Sequence, residues 1–88
     1  MSNETASASP RRAFLGVDTG SISTKGVIID EDRSIIARTY LWTEGDPSQA
    51  ARRVVADLAR QIDREQTEVV AVGTTGSARR LVGAMLGA

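Results

Sequence analysis

The chain has 88 residues, 41% of them hydrophobic, and its eleven basic and eleven acidic side chains cancel. That is one small domain with a modest core, and the balanced charge leaves no electrostatic footprint for nucleic acid or an anionic membrane. Cysteine and histidine are absent, which removes disulfides, a zinc site, a thiol nucleophile and a serine–histidine relay from this chain.

Residues 1–12, "MSNETASASPRR", are small and polar, with almost nothing to bury, and read as a disordered tail. They lack the apolar stretch of a secretory signal. No run reaches the roughly 20 apolar residues of a membrane span, so the expectation is a soluble, cytoplasmic protein. Residues 13–88 form the domain. "AFLGV" (13–17) is a short apolar run, long enough for a buried strand. "KGVIID" (25–30) is a second strand and "SIIARTYLW" (34–42) a third, with "EDR" (31–33) as a charged turn between them. Such short connections favour antiparallel neighbours.

"TEGDPSQ" (43–49) changes the pattern. Asp46 is a good N-cap, Pro47 suits the first helical position, and Gln49 sits where a capping box wants it. Ala51, Val54, Val55, Leu58 and Ile62 follow at helical spacing, predicting a helix over 47–64 that buries Val54, Val55, Leu58 and Ile62. "EVVAVG" (68–73) is an unbroken apolar run, the pattern of a strand covered on both faces. "TTGS" (74–77) reads as a turn. Ala78, Leu81, Val82 and Met85 mark a second helical face. The order is β-β-β-α-β-α: an α/β fold with a mixed sheet, three antiparallel strands, and a fourth strand returned by a crossover helix to lie parallel to the first. The turn at 18–24 and the turn at 74–77 then face one another on one edge, where α/β sheets place ligands.

The turn "DTGSISTK" (18–25) is neither a Walker A loop nor a dinucleotide fingerprint, because Lys25 precedes Gly26 and a strand follows. It still has the makings of a phosphate cradle. Gly20 permits close backbone approach and positive φ. The amides of 19–24 can form a nest, Ser21, Ser23 and Thr24 add hydroxyls, and Lys25 adds a charged donor. Asp18 would repel a phosphate unless Mg²⁺ lies between them. The same residues also spell an ordinary hairpin turn, with Asp as cap and Gly in the left-handed position. "GTTGSAR" (73–79) has the same two readings: helix-terminal amides, threonines and Arg79 turned to an anion, or a strand-to-helix turn.

"FLGVDTGSISTKGVIID" resembles the first phosphate loop of the actin-like ATPase superfamily, which lies in a β-hairpin of an RNase H-like fold. Through "ARTYLWTEGDP" and "VGTTGSARRLVGAMLGA" the chain is similar to the BadF/BadG/BcrA/BcrD-type ATPases. These are activators of 2-hydroxyacyl-CoA dehydratases and ATPase subunits of benzoyl-CoA reductases. The resemblance covers residues 13–88, with Ser77-Ala78 standing where the family often has a further Gly. It implies that Asp18 manages Mg²⁺ through water, and that Thr19, Gly20, Ser21, Ser23, Thr24 and Lys25 hold the ATP phosphates. Thr75, Gly76 and Ser77 would shape the far side of the cleft. Family members are homodimers that share an iron–sulfur cluster and pass electrons to a CoA-ester dehydratase or reductase. A cysteine-free chain offers no thiolate for that cluster. The resemblance also implies a half-domain, truncated before the second RNase H-like half, and therefore little turnover by the 88 residues alone. The alternatives are the start of a sugar kinase of the same superfamily, whose first loop looks similar, and a non-catalytic binding module that keeps the fold.

Overall fold

A computed structural model describes residues 10–76 and 79–87. Its elements are β1 (Arg11–Thr19), β2 (Ser23–Asp30), β3 (Ile35–Trp42), α1 (Pro47–Gln61), β4 (Thr67–Gly76) and α2 (Arg79–Leu86). The sheet runs β3-β2-β1-β4. β1–β2 and β2–β3 are antiparallel, whereas β4 is parallel to β1. The short turns allow only the first kind of pairing, and the α1 crossover allows the second. No helix among the described residues is long and apolar enough to cross a membrane.

Local chemistry sets most boundaries. Asp30 closes the β2–β3 turn: its Oδ1 accepts from the amides of Asp32 and Ser34 at 2.9 and 3.0 Å, while Arg33 takes a left-handed φ of 67°. Asp46 caps α1 by accepting from the Gln49 amide at 3.1 Å. The helix ends at Gln61, earlier than the expected 64, with Ile62 extended. Asp63 explains the early stop. Its side chain accepts from the Glu65 amide and its carbonyl from the Gln66 amide, a local turn that competes with helix. At the other end, β1 starts at Arg11, so Arg11 and Arg12 belong to the sheet rather than to the tail.

The core is Ala13, Val17, Ile28 and Ala37 from the sheet against Ala51, Val54 and Leu58 from α1. Strand alternation puts these on one sheet face. Gly26 on β2 lets the helix sit close, since a Cβ there would collide with Val54 Cγ1 and lie 2.9 Å from Leu58 Cδ1. Val55 and Ile62 are half-buried rather than buried, Ile62 packing on the core from just beyond the helix. α2 lies on the same face, with Leu86 against the core. Ala78 lies outside the described residues, as do the side chains of Leu81, Val82 and Met85.

β4 departs from expectation. Among the described residues it is the last strand of the sheet and helices flank only one of its faces, and Val69 and Val70 are 37% and 38% exposed. A continuous apolar run predicted cover on both faces; here it marks an edge strand. The strand also continues through residues 74–76, expected as turn, because Thr74, Thr75 and Gly76 stay in register with Val17, Asp18 and Thr19.

β3 is the opposite edge, and it is partly closed. The Gln61 side chain donates to the Arg38 carbonyl at 2.9 Å and accepts from the Arg38 amide at 3.3 Å. A side-chain amide thus occupies the backbone groups that another strand would take.

Candidate functional site

Because β1 and β4 are parallel, their carboxyl ends meet at one edge of the sheet, with Asp18 beside Thr75 and Thr19 beside Gly76. Across β1 and β2, Asp18 faces Lys25. Register partners share a sheet face, so Asp18, Lys25 and Thr75 form one row. Val17 and Gly26, their chain neighbours, point to the helices, so the row stands on the face without a helix among the described residues. Gly16 and Gly73, register partners in the layer below, have no side chains to fill the space. The result is an open depression of about 410 Å³ lined by Asp18, Lys25, Thr75, these two glycines and, beside Gly16, the apolar side chain of Val27.

Lys25, the only lysine of the chain, is exposed. Its Nζ donates to Ser23 Oγ at 3.3 Å and stands 5.7 Å from the centre of the Tyr40 ring. Tyr40 in turn meets Trp42 edge-on, with centroids 5.9 Å apart. Lys25 is therefore aimed along the open face, with its ammonium held loosely by a hydroxyl and a ring and accessible to an anion.

The loop Gly20–Ile22 joins β1 to β2. Gly20 does not use positive φ; the glycines that do are Gly45, Gly76 and Gly87. Its need is space, since a Cβ would stand 2.8 Å from the Ser23 carbonyl oxygen. The Gly20 amide donates to that same carbonyl at 2.8 Å, so this amide is committed within the loop rather than turned outward as part of a nest. Ser21 lies exposed at the tip.

The hydroxyl residues divide by strand alternation. Ser23 and Thr75 lie on the open face beside Asp18. Thr19 and Thr24 point the other way and are fully buried, so only their backbones reach the loop. The Thr24 hydroxyl meets that of Thr43 at 2.9 Å, and Thr43 Oγ1 donates to the Gly20 carbonyl at 2.8 Å. Thr43 escaped the sequence reading. No local signal marks it: threonine is an ordinary surface residue type, and the turn that follows, where Glu44 and Gly45 take positive φ of 54° and 75°, shows itself only in the structure. On the other flank, Gly76 has φ 99°, and a Cβ there would collide with the Thr19 carbonyl oxygen and stand 2.7 Å from its amide nitrogen. Only glycine permits this approach of β4 to the loop. Ser77 lies outside the described residues, as does the Arg79 side chain.

Asp18 is half-buried, and among the described residues no group of three or more acidic, His or Cys side chains converges as a metal cage. A hard cation at Asp18 would take the rest of its oxygen ligands from water and from a bound anion, which is how Mg²⁺ is ordinarily held beside phosphates. Asp57 on α1 is held below the usual carboxylate range, first by a hydrogen bond from Thr39 and then by Arg60 and Gln61. It ties α1 to β3, away from this edge.

No family model matches the sequence. No curated protein matches it significantly either.

Proposed function

We propose that the chain is the nucleotide-phosphate-binding segment of an RNase H-like ATPase of the BadF/BadG/BcrA/BcrD type. Such an ATPase activates a 2-hydroxyacyl-CoA dehydratase or benzoyl-CoA reductase type of enzyme by ATP-driven electron transfer. The observation that supports this best is the row Asp18, Lys25 and Thr75 over the bare Gly16–Gly73 floor, beside a glycine loop at the carboxyl ends of two parallel strands. A carboxylate, an ammonium and a threonine in one open depression, with Ser23 hydrogen-bonded to the ammonium, suit a metal-bridged polyphosphate, which needs a cation anchor and charged donors together.

On this reading Lys25 and Ser23 donate to phosphate oxygens, Ser21 and Thr75 border them from the loop and from β4, and Gly20 and Gly76 keep side chains out of the way. Thr19 and Thr24 serve through their backbones. Asp18 would hold Mg²⁺ through its waters. When bound, Mg²⁺ neutralises phosphate charge and orients the transferred group. The iron–sulfur cluster of such activators draws no ligand from this cysteine-free chain. The homodimer, the CoA-ester enzyme partner and the cytoplasmic setting belong to the same proposal.

The test is a titration of Mg²⁺–ATP into the isotopically labelled chain, followed by amide NMR. The depression is open to water, so binding is weak, about millimolar. Shifts concentrate at residues 18–25 and 73–76, and Lys25→Ala removes them at the same ligand concentrations. Shifts confined to other surfaces, or a Lys25→Ala variant that titrates like the parent, reduce the loop to a hairpin turn.

A further inference from the structure

We infer that Thr43 is a positioning residue: it clamps the Gly20–Ile22 loop from the β3–α1 junction and so sets the shape in which that loop meets an anion. Its functional half rests on the phosphate-loop reading above; its geometric half does not.

Three bonds carry the inference. The Thr43 amide donates to the Ile22 carbonyl at 2.7 Å. The Thr43 hydroxyl donates to the Gly20 carbonyl at 2.8 Å. A hydroxyl has one proton, so in the 2.9 Å contact between the two threonine hydroxyls Thr24 is the donor and Thr43 the acceptor. One buried residue, 3% exposed, therefore holds the loop at both ends, Ile22 through its amide and Gly20 through its hydroxyl, and the same hydroxyl meets the strand that leaves it. The Thr43 carbonyl accepts from the Asp46 amide at 3.1 Å, and Asp46 is the cap of α1. The loop is thereby fixed to the first turn of the core helix through a single residue. A three-residue connection between antiparallel strands closes on its own, as the Gly20–Ser23 bond already shows. The additional anchors fix orientation, and a loop held in one shape binds without the cost of ordering itself.

The experiment compares Thr43→Val, Thr43→Ser and Thr24→Val with the parent chain by amide hydrogen exchange and by the Mg²⁺–ATP titration. Valine keeps the shape and the Ile22 bond but removes both side-chain hydrogen bonds. Each such bond is worth a factor of about 2 to 12, so exchange at Gly20 and the following loop amides rises about 5- to 150-fold. The amides of Leu15 and Val17, in the middle of β1, rise much less. Thr24→Val loosens the same amides to a smaller degree, and Thr43→Ser restores parental exchange and binding. A purely structural contribution raises loop and core exchange alike, and that outcome, or unchanged loop exchange in Thr43→Val, overturns the clamp. Selective loosening with serine rescue, in a chain whose parent gives no Mg²⁺–ATP shifts, supports the clamp and overturns the phosphate reading. Selective loosening with shifts lost in valine and regained in serine supports both.

Discussion

Gly26→Ala adds one methyl at the tightest point between β2 and α1. The new Cβ would collide with Val54 Cγ1 and approach Leu58 Cδ1 to 2.9 Å. Neither neighbour can retreat into solvent, since Val54 and Leu58 are 0% and 1% exposed. Overpacking of this kind costs about 1–3 kcal/mol. Against it stands the gain from replacing a strand glycine, about 0.5–1 kcal/mol. The net is a loss of up to about 2.5 kcal/mol, sizeable for a domain whose total stability is about 4–13 kcal/mol by length. Urea denaturation measures it as a lowered midpoint at constant slope. The Val54→Ala partner supplies the control: it removes the clashing atoms, so the double variant is more stable than the sum of the two singles by about 1 kcal/mol or more. Gly73→Ala is the counter-case, with nothing within 4 Å of its Cβ and an expected gain of about 0.5 kcal/mol. A neutral Gly26→Ala, or strict additivity with Val54→Ala, refutes the close packing of α1 at this glycine.

Leu58→Ala opens a cavity under α1 and lowers stability by about 2–5 kcal/mol in the same assay; a loss under about 0.5 kcal/mol means the helix phase is wrong. Gln61→Ala frees the Arg38 backbone at the β3 edge and costs about 0.5–1.5 kcal/mol, with faster exchange of the Arg38 amide as its local sign. Asp57 is held below the usual carboxylate range, first by the Thr39 hydrogen bond and then by Arg60 and Gln61. The stability it contributes is therefore present above its unfolded pKa and lost as pH falls through the lower folded one. The Asp57→Asn deficit is then largest near neutrality and fades below about pH 4. A deficit constant between pH 7 and pH 3, read by thermal melts, contradicts that assignment. Asp18→Asn keeps the shape and removes the charge, so ATP shifts persist but lose their dependence on Mg²⁺; retained dependence removes Asp18 from the metal's surroundings.

The topology was legible because apolar runs and turn residues alternate cleanly, and because a helix between strands forces a crossover. Boundaries were harder where a residue type has two uses. Thr74 and Thr75 look like turn residues, yet they are β-branched and have Val17 and Asp18 to pair with, so β4 runs on. Asp63 sits within the helical spacing but turns the chain with its own carboxylate. "EVVAVG" is apolar on both sides, and an unbroken apolar run does not distinguish a strand covered on both faces from one at the edge, where β4 lies among the described residues. In the loop, Asp18 and Lys25 could be singled out from their types and order. The division of Ser23 and Thr75 from Thr19 and Thr24 follows from a period of two once the strand bounds are known, which they were not. Thr43 was illegible for another reason. Its partners Thr24 and Gly20 lie 19 and 23 residues away, and nothing local in "WTEGD" announces a bond across three elements.

The arrangement around the loop also bears on whether it is only a turn. A plain hairpin connection needs its own closing bond and a permissive glycine, and Gly20 with Ser23 supplies both. Here two further elements converge on it. From the β3 side, Thr43 holds Gly20 and Ile22. From the β4 side, Gly76 adopts φ 99° and presses where no side chain would fit against Thr19. Both contacts draw on unusual local conformations, since Glu44 and Gly45 in the turn after Thr43 also take positive φ. Backbone in sparsely populated regions costs of order 1–3 kcal/mol for a non-glycine residue such as Glu44 and persists where surrounding structure over-determines it. Supports from two flanks leave the loop little freedom to move, while the side-chain row beside it stays open and exposed. A rigid loop next to a reachable ammonium, with a carboxylate placed to anchor a cation, is the condition for binding a metal-bridged anion by preorganised groups. The decisive comparison is between the two flanks. If the loop is a bystander, Gly76→Ala and Thr43→Val lower stability and leave anion affinity per folded molecule unchanged. If it is a binding element, each weakens Mg²⁺–ATP shifts at Asp18 and Lys25 although neither side chain touches the depression.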